Sequence, residues 1–369
     1  MLPSSGTVSP VVLSSLFNSR TNSYKFLWFK GILNILLRGS YSEMEISYAD
    51  IVKEMLVLAW FPGRYHHLSF GCWDKMSQYL DSIDQVMERG VSEREVRRAV
   101  DKVFSDDILK QLTRYVPYRV LTPWFKNELY GVENDAERHA RTEKLANLEF
   151  HDRVPLYRLK SQSIVIHDLW SDYLKNNHSI VLAWVDWHWC NHLQDKNPSI
   201  PSISKKINIP ADRENLSVAR KLWSEYVRSR SPRCIYSGIK LDNLSFSLDH
   251  FIPWSYVAHN EIWNLIPVPI CPNVNSSKGN CLPSNDYMDV FIDLQFDMLV
   301  FQSETIKNIK QWRNFIAPYW DLFRIKEEDI LNRDKFSRIM KMVVVQYLES
   351  ARRLGFTAGW VFQDCTGDE

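Results

Sequence analysis

An aspartate and a histidine stand side by side at the end of an apolar run in "SLDHFIPW", residues 247–254, and Pro253 bars the run from continuing as a regular central strand. A strand that only filled a core would lose stability there, because an unpaired buried charge costs more than one apolar side chain gains. Asp249 and His250 therefore need partners. The next thirty residues supply them in two short groups, "IWNLIPV" and "NVNSSKGNCLPS".

This texture of short apolar pieces, turn residues and clustered polar groups spans residues 232–285 and differs from the rest of the chain. Residues 1–200 read as mainly helical. "TNSYKFLWFKGILNILL" has apolar positions at helical spacing with Thr21 or Asn22 as N-cap, and "SEREVRRAVDKVF" places Ser92 and Glu95 in capping-box spacing. "RYVPYRVLTPWF" and "VPLYRLKSQSIVI" are rich in β-branched and aromatic residues and read as strands or extended loops. "NPSIPSISKKINIPADREN", with three prolines and two lysines, reads as a linker. "ENLSVARKLWSEYVRSRS" follows as a basic helix, so residues 201–231 form a basic linker and helix. Residues 286–369 return to helix, and "RDKFSRIMKMVVVQYLESARRLGF" stops at the helix-ending Gly355. The fold class is mainly α with an embedded two-strand, one-helix unit, α+β overall.

A chain of 369 residues with 45% hydrophobic and 24% charged residues is an ordinary globular one, long enough for two or three domains. The net charge of +1 gives no overall pull toward nucleic acid, but its distribution is uneven. Nine basic residues face three acidic ones between Lys205 and Lys240, directly before the Asp-His pair. Arg220, Lys221, Arg228, Arg230 and Arg233 are thus the candidates for contact with a DNA backbone. Such a run is also what a solvated helix face looks like. Six scattered cysteines do not suggest a disulfide framework, and no stretch reaches the roughly 18 apolar residues of a membrane span. The opening residues lack the pattern of a signal peptide. These features describe a soluble, cytoplasmic protein of a reducing compartment, without membrane insertion.

The parts gathered at 232–285 suit phosphodiester cleavage. A base must take a proton from water, and an imidazole does so near neutrality. A divalent cation must offset charge on the phosphate and the departing oxygen, and Asp or Asn oxygens suit Mg²⁺. An amide or carbonyl must fix the imidazole tautomer.

"DHFIP", "WNLIP" and "NSSK" in this order resemble the HNH motif of the ββα-metal endonucleases, D-H-x-x-P followed by N-L and N-x-x-K. "CIYSG" at 234–238 and "NSSKGNCLPS" at 275–284 are similar to the flanks of that domain in RNA-guided CRISPR nucleases. The resemblance implies two strands and a helix, with His250 as general base and Asp249 and Asn275 as ligands of one catalytic metal, Mg²⁺ or another divalent cation such as Mn²⁺. It implies that Asn264 orients the His250 loop and that Lys278 faces a phosphate. The products would carry 5′-phosphate and 3′-hydroxyl ends. Many such domains hold a structural zinc with paired cysteines; here Ser237 and Val274 stand where the mates of Cys234 and Cys271 would be, so no structural zinc is expected. Trp254, Trp263 and Ile266 are the candidate core of the unit.

An HNH unit between long unfamiliar flanks also resembles effectors of bacterial phage-defence and restriction systems, Zorya-type nucleases among them, which implies double-stranded phage or foreign DNA as substrate and protein partners within a defence system. One such site cuts one strand, so a nickase is as consistent as an endonuclease. Two other classes stay open: a DNA-binding module without cleavage, and a partner-binding scaffold whose helical flanks do the main work. In "WHWCNH", His188 and His192 share a helix face but lack a partner motif, and packing is the simpler role for them.

Overall fold

The computed structural model describes residues 2–19, 21–87, 92–209, 216–241, 246–270 and 278–363. It divides into two compact units, Met1–Pro210 and Ala211–Glu369.

The first unit is a helical assembly around a small antiparallel sheet. Strands β1 (Glu45–Ser47), β2 (Tyr157–Leu159) and β3 (Ser163–Ile166) run in the order β1-β3-β2, with Ile164 opposite both Ile46 and Leu159. Helix Tyr24–Arg38 buries Phe26, Trp28, Phe29, Ile32 and Leu33, matching its apolar spacing. It starts at Ser23, not at Thr21 or Asn22, and no side chain caps it. A tertiary contact fixes the entry instead, since the Ser23 amide donates to Asp74 Oδ2 at 2.6 Å. Helix Glu93–Val103 begins with the Ser92–Glu95 capping box.

"RYVPYRVLTPWF" is not extended. It forms helix Val116–Leu121 and a 3₁₀ turn, Thr122–Phe125, with a proline in the first turn of each. A proline there forgoes no helical hydrogen bond, so the punctuation that suggested strands is compatible with helix starts. In helix His178–Lys196, His192 stacks on Trp189 with 5.7 Å between ring centroids, and His188 lies 5.3 Å from Phe17. Both rings are packed among aromatics.

The second unit opens with the basic helix Ser217–Arg230. Strands β4 (Phe246–His250) and β5 (Leu265–Pro269) then pair antiparallel, His250 opposite Leu265 and Asp249 opposite Ile266. Helices Met288–Thr305, Ile309–Phe323 and Arg333–Arg353 back this hairpin. Phe251 stacks on Phe291 at 3.8 Å, and Trp263 meets Phe323 edge-on at 5.3 Å. The buried Gln295 donates to the Leu265 carbonyl at 2.9 Å and accepts from the Tyr319 hydroxyl at 3.0 Å, joining strand to helices through satisfied polar groups. Trp263 and Ile266 lie in the core, as expected; Trp254 is only half-buried. The long last helix is followed by Gly355 at φ +92°, a conformation glycine adopts without steric cost. The start expected for a helix at "NSSKG", residues 275–277, lies outside the described residues. Among the described residues no helix is long and apolar enough to cross a membrane.

Candidate active site

Asp249 and His250 end β4, and three neighbouring segments converge on them. The first is a tight turn over 233–240, closed by a bridge between Arg233 and Lys240 and by the Cys234 amide donating to the Ile239 carbonyl. Gly238 takes φ +68° in this turn. The turn delivers Tyr236, whose hydroxyl donates to Asp249 Oδ2 at 3.4 Å. Burial, and then the nearby Asp249 carboxylate, push the Tyr236 phenol well above its ordinary range, so it stays a protonated donor.

Lys278 comes from the far side. Its side chain is 1% exposed, and its Nζ lies 3.0 Å from Asp249 Oδ2 and donates to the His250 carbonyl at 2.6 Å. The sequence expectation placed Lys278 toward a phosphate; in the structure it is turned inward. A largely buried carboxylate needs a compensating charge, and Lys278 supplies it. Among the described residues, Asp249 Oδ1 takes no hydrogen bond, and the side chain remains 20% exposed. A hard anionic oxygen in that state fits a divalent cation. Asn275, the other expected ligand, lies outside the described residues, as do Cys271 and Val274. Among the described residues no group of three or more His, Cys, Asp or Glu forms a metal cage. Cys234 is buried, and Ser237 follows it in the turn.

The third segment is the loop between the strands. Pro253 leads into the short helix Trp254–Val257, and Ala258 reverses the chain at φ +55°. The returning chain brings Asn260 back to His250, where its Oδ1 lies 2.9 Å from Nε2 of the ring. An amide oxygen only accepts, so Nε2 carries the proton and Nδ1 is the basic nitrogen. Asn264, fully buried, closes the loop: its Oδ1 accepts from the Ile252 amide and its Nδ2 donates to the Ile252 carbonyl, both at 2.8 Å. The Asn264 carbonyl also accepts from the Phe251 amide at 2.8 Å. Asn264 thus pins the backbone that leaves His250.

Asn260 and Tyr236 were not singled out in the sequence. Tyr236 lies inside the quoted "CIYSG", and a single buried hydroxyl in a tight turn gives no periodic signal. Asn260 would be found only by asking which nearby amide could set the tautomer.

The five basic candidates separate. Arg220 donates to the Phe246 carbonyl at 3.1 Å, Arg230 pairs with Glu304 at 3.0 Å, and Arg233 donates to the Gly238 carbonyl at 3.0 Å. Lys221 and Arg228 are exposed and make no ion pair among the described residues. Seven residues apart, they share a helix face.

Residues 234–284 match the family model of the HNH endonucleases. Neither the curated proteins nor the solved structures contain a match to this chain. Residues 234–284 are an HNH endonuclease domain set in a mainly helical α+β protein.

Proposed function

We propose that this domain hydrolyses phosphodiester bonds in DNA with the help of a divalent cation, Mg²⁺ or Mn²⁺, with His250 as general base and Asp249 as a metal ligand beside Asn275. The observation that carries this reading is the pairing of an imidazole held by Asn260 with an adjacent carboxylate that keeps one oxygen without a hydrogen bond among the described residues. When bound, the cation would offset charge on the scissile phosphate and on the departing oxygen. Asn260 holds Nε2–H, so Nδ1 is the atom that accepts the proton of water. Asn264 and Lys278 are positioning residues that fix the backbone at His250 and just after it. Lys221 and Arg228 would meet the DNA backbone.

A single site of this kind cuts one strand, so the expected primary product is a nick. The setting we assign is defence against phage or other foreign DNA, in the cytoplasm and with protein partners. It rests on the resemblance in architecture alone. A supercoiled-plasmid assay tests the chemistry: the wild type relaxes the plasmid with Mg²⁺ or Mn²⁺ and not with a chelator, and His250→Ala and Asp249→Ala do not. Equal DNA binding with no cleavage in all three proteins would leave a DNA-binding module instead. Plaque counts on cells carrying the wild type or His250→Ala test the setting, and equal counts would reject it.

A further inference from the structure

The unit Met1–Pro210 holds a cavity of about 610 Å³, a size typical of small-ligand sites. Its wall carries Lys25, Lys75, Arg114, Arg119 and Arg138 against the single carboxylate of Asp135. Asp135 is already committed to Arg119, at 3.2 Å. Aromatic faces accompany the cations. Trp73 is 85% exposed at the rim, and Tyr115 is flanked by the guanidinium groups of Arg114 at 4.9 Å and Arg119 at 4.7 Å. Burial, and then the charge of Arg119, lower the pKa of Lys25, whose ammonium donates to the Leu16 and Ser19 carbonyls.

The geometry points to a binding site for a nucleoside phosphate: its phosphate meets the Arg114 and Lys75 side of the wall, and its base stacks against Trp73. Like charges gathered in a concave wall are stabilised by an anion. Arginine forks suit phosphate oxygens, and an exposed indole gains by covering a π-face. An inorganic anion would use the cations and leave the Trp73 indole uncovered; an uncharged aromatic molecule would do the reverse. A nucleotide uses both. The ligand would be a free nucleotide or the terminal nucleotide of a strand, and the two share this chemistry. Its residues all belong to the first unit and none is among those assigned to the nuclease, so it does not depend on their assignment.

Titration of the full-length protein without divalent cation, followed by tryptophan fluorescence and calorimetry, tests it. The probes are AMP, ATP, adenosine, inorganic phosphate and a 5′-phosphorylated tetranucleotide. At least one nucleotide probe should bind below about 1 mM, and adenosine and phosphate about tenfold more weakly or worse. Arg114→Glu and, as an independent variant, Lys75→Glu should each weaken binding about tenfold, and Trp73→Ala should do so with the quench lost. Circular dichroism checks that each variant is folded. Tighter binding of the mononucleotides identifies a free ligand; tighter binding of the tetranucleotide identifies a strand end. The proposal is overturned if no nucleotide probe binds, if folded charge-reversal variants bind as the wild type does, or if inorganic phosphate binds as tightly as the nucleotides.

Discussion

The amide oxygen of Asn260 lies 2.9 Å from Nε2 of His250, so a residue ten positions along the chain decides which ring nitrogen is basic. Replacing Asn260 with Leu removes the acceptor and lets either tautomer form. Cleavage should slow by about ten- to a hundredfold, with the DNA concentration for half-maximal rate little changed. Asn260→Asp has a different signature. A carboxylate facing the ring favours imidazolium, and the base must be neutral to act. The acid limb of the pH–rate profile should therefore move to higher pH, with activity recovering in alkali. An unshifted profile in Asn260→Asp would show that this contact does not govern the base.

Lys278 is the counter-charge for Asp249, 3.0 Å away, and a donor to the His250 carbonyl. Lys278→Met keeps the bulk and deletes both interactions, leaving a carboxylate uncompensated in a mostly buried place. Urea denaturation should show a loss of about 3 kcal/mol. A divalent cation can replace part of the missing charge, so millimolar Mg²⁺ should restore more stability to the variant than it adds to the wild type. Equal cation effects on both proteins would argue against a metal at Asp249.

Asn264 satisfies both backbone groups of Ile252 at 2.8 Å with no solvent access. Asn264→Ala strands a buried N–H and a buried C=O together. The expected cost is about 2–4 kcal/mol by chemical denaturation, with nicking abolished even where the protein is folded. Asn264→Asp keeps the acceptor but sets a buried carboxylate oxygen against the Ile252 carbonyl, so it should be no more stable than Asn264→Ala at neutral pH.

What the sequence disclosed depended on how local the determinant was. The Ser92–Glu95 box lies within one turn and is present as read. The HNH stretch was legible because its chemistry and spacing are both unusual, and the family match falls on residues 234–284. The helix start at Ser23 was not legible, because Asp74 sets it from fifty-one residues away. Nor was the inward turn of Lys278, which answers to the burial of Asp249 rather than to any pattern around itself. The segment 114–125 misled because proline marks both strand ends and helix starts, and only the surrounding packing decides between them.

Glu54 gives the first unit a pH dependence. Burial alone would raise its carboxyl, but hydrogen bonds from Arg97, Arg38 and Asn34 prevail and bring it down to about 2. A carboxyl with a depressed folded-state pKa contributes stability that is complete above its unfolded value near 4.5 and is lost as pH falls toward 2. Its contribution should be on the order of 3 kcal/mol. Melting followed between pH 6 and pH 2 should show this loss in the wild type. Glu54→Gln should be less stable at neutral pH and lose less on acidification, because its side chain no longer titrates. A parallel loss in both proteins would place the acid sensitivity elsewhere.

Lys221 and Arg228 share one face of the basic helix and make no ion pair among the described residues, whereas Arg233 is held by the Gly238 carbonyl. If that face follows a DNA backbone, each free cation displaces condensed counterions, and the salt dependence of binding counts them. Lys221→Ala with Arg228→Ala should flatten the slope of log affinity against log salt by about 1.8, because each phosphate contact contributes about 0.9. The loss should be similar on DNAs of different sequence, since backbone contacts carry no base information. Arg233→Ala should leave the slope near that of the wild type. Fluorescence anisotropy across a salt series measures all three proteins, and an unchanged slope in the double variant would move the DNA path off this helix.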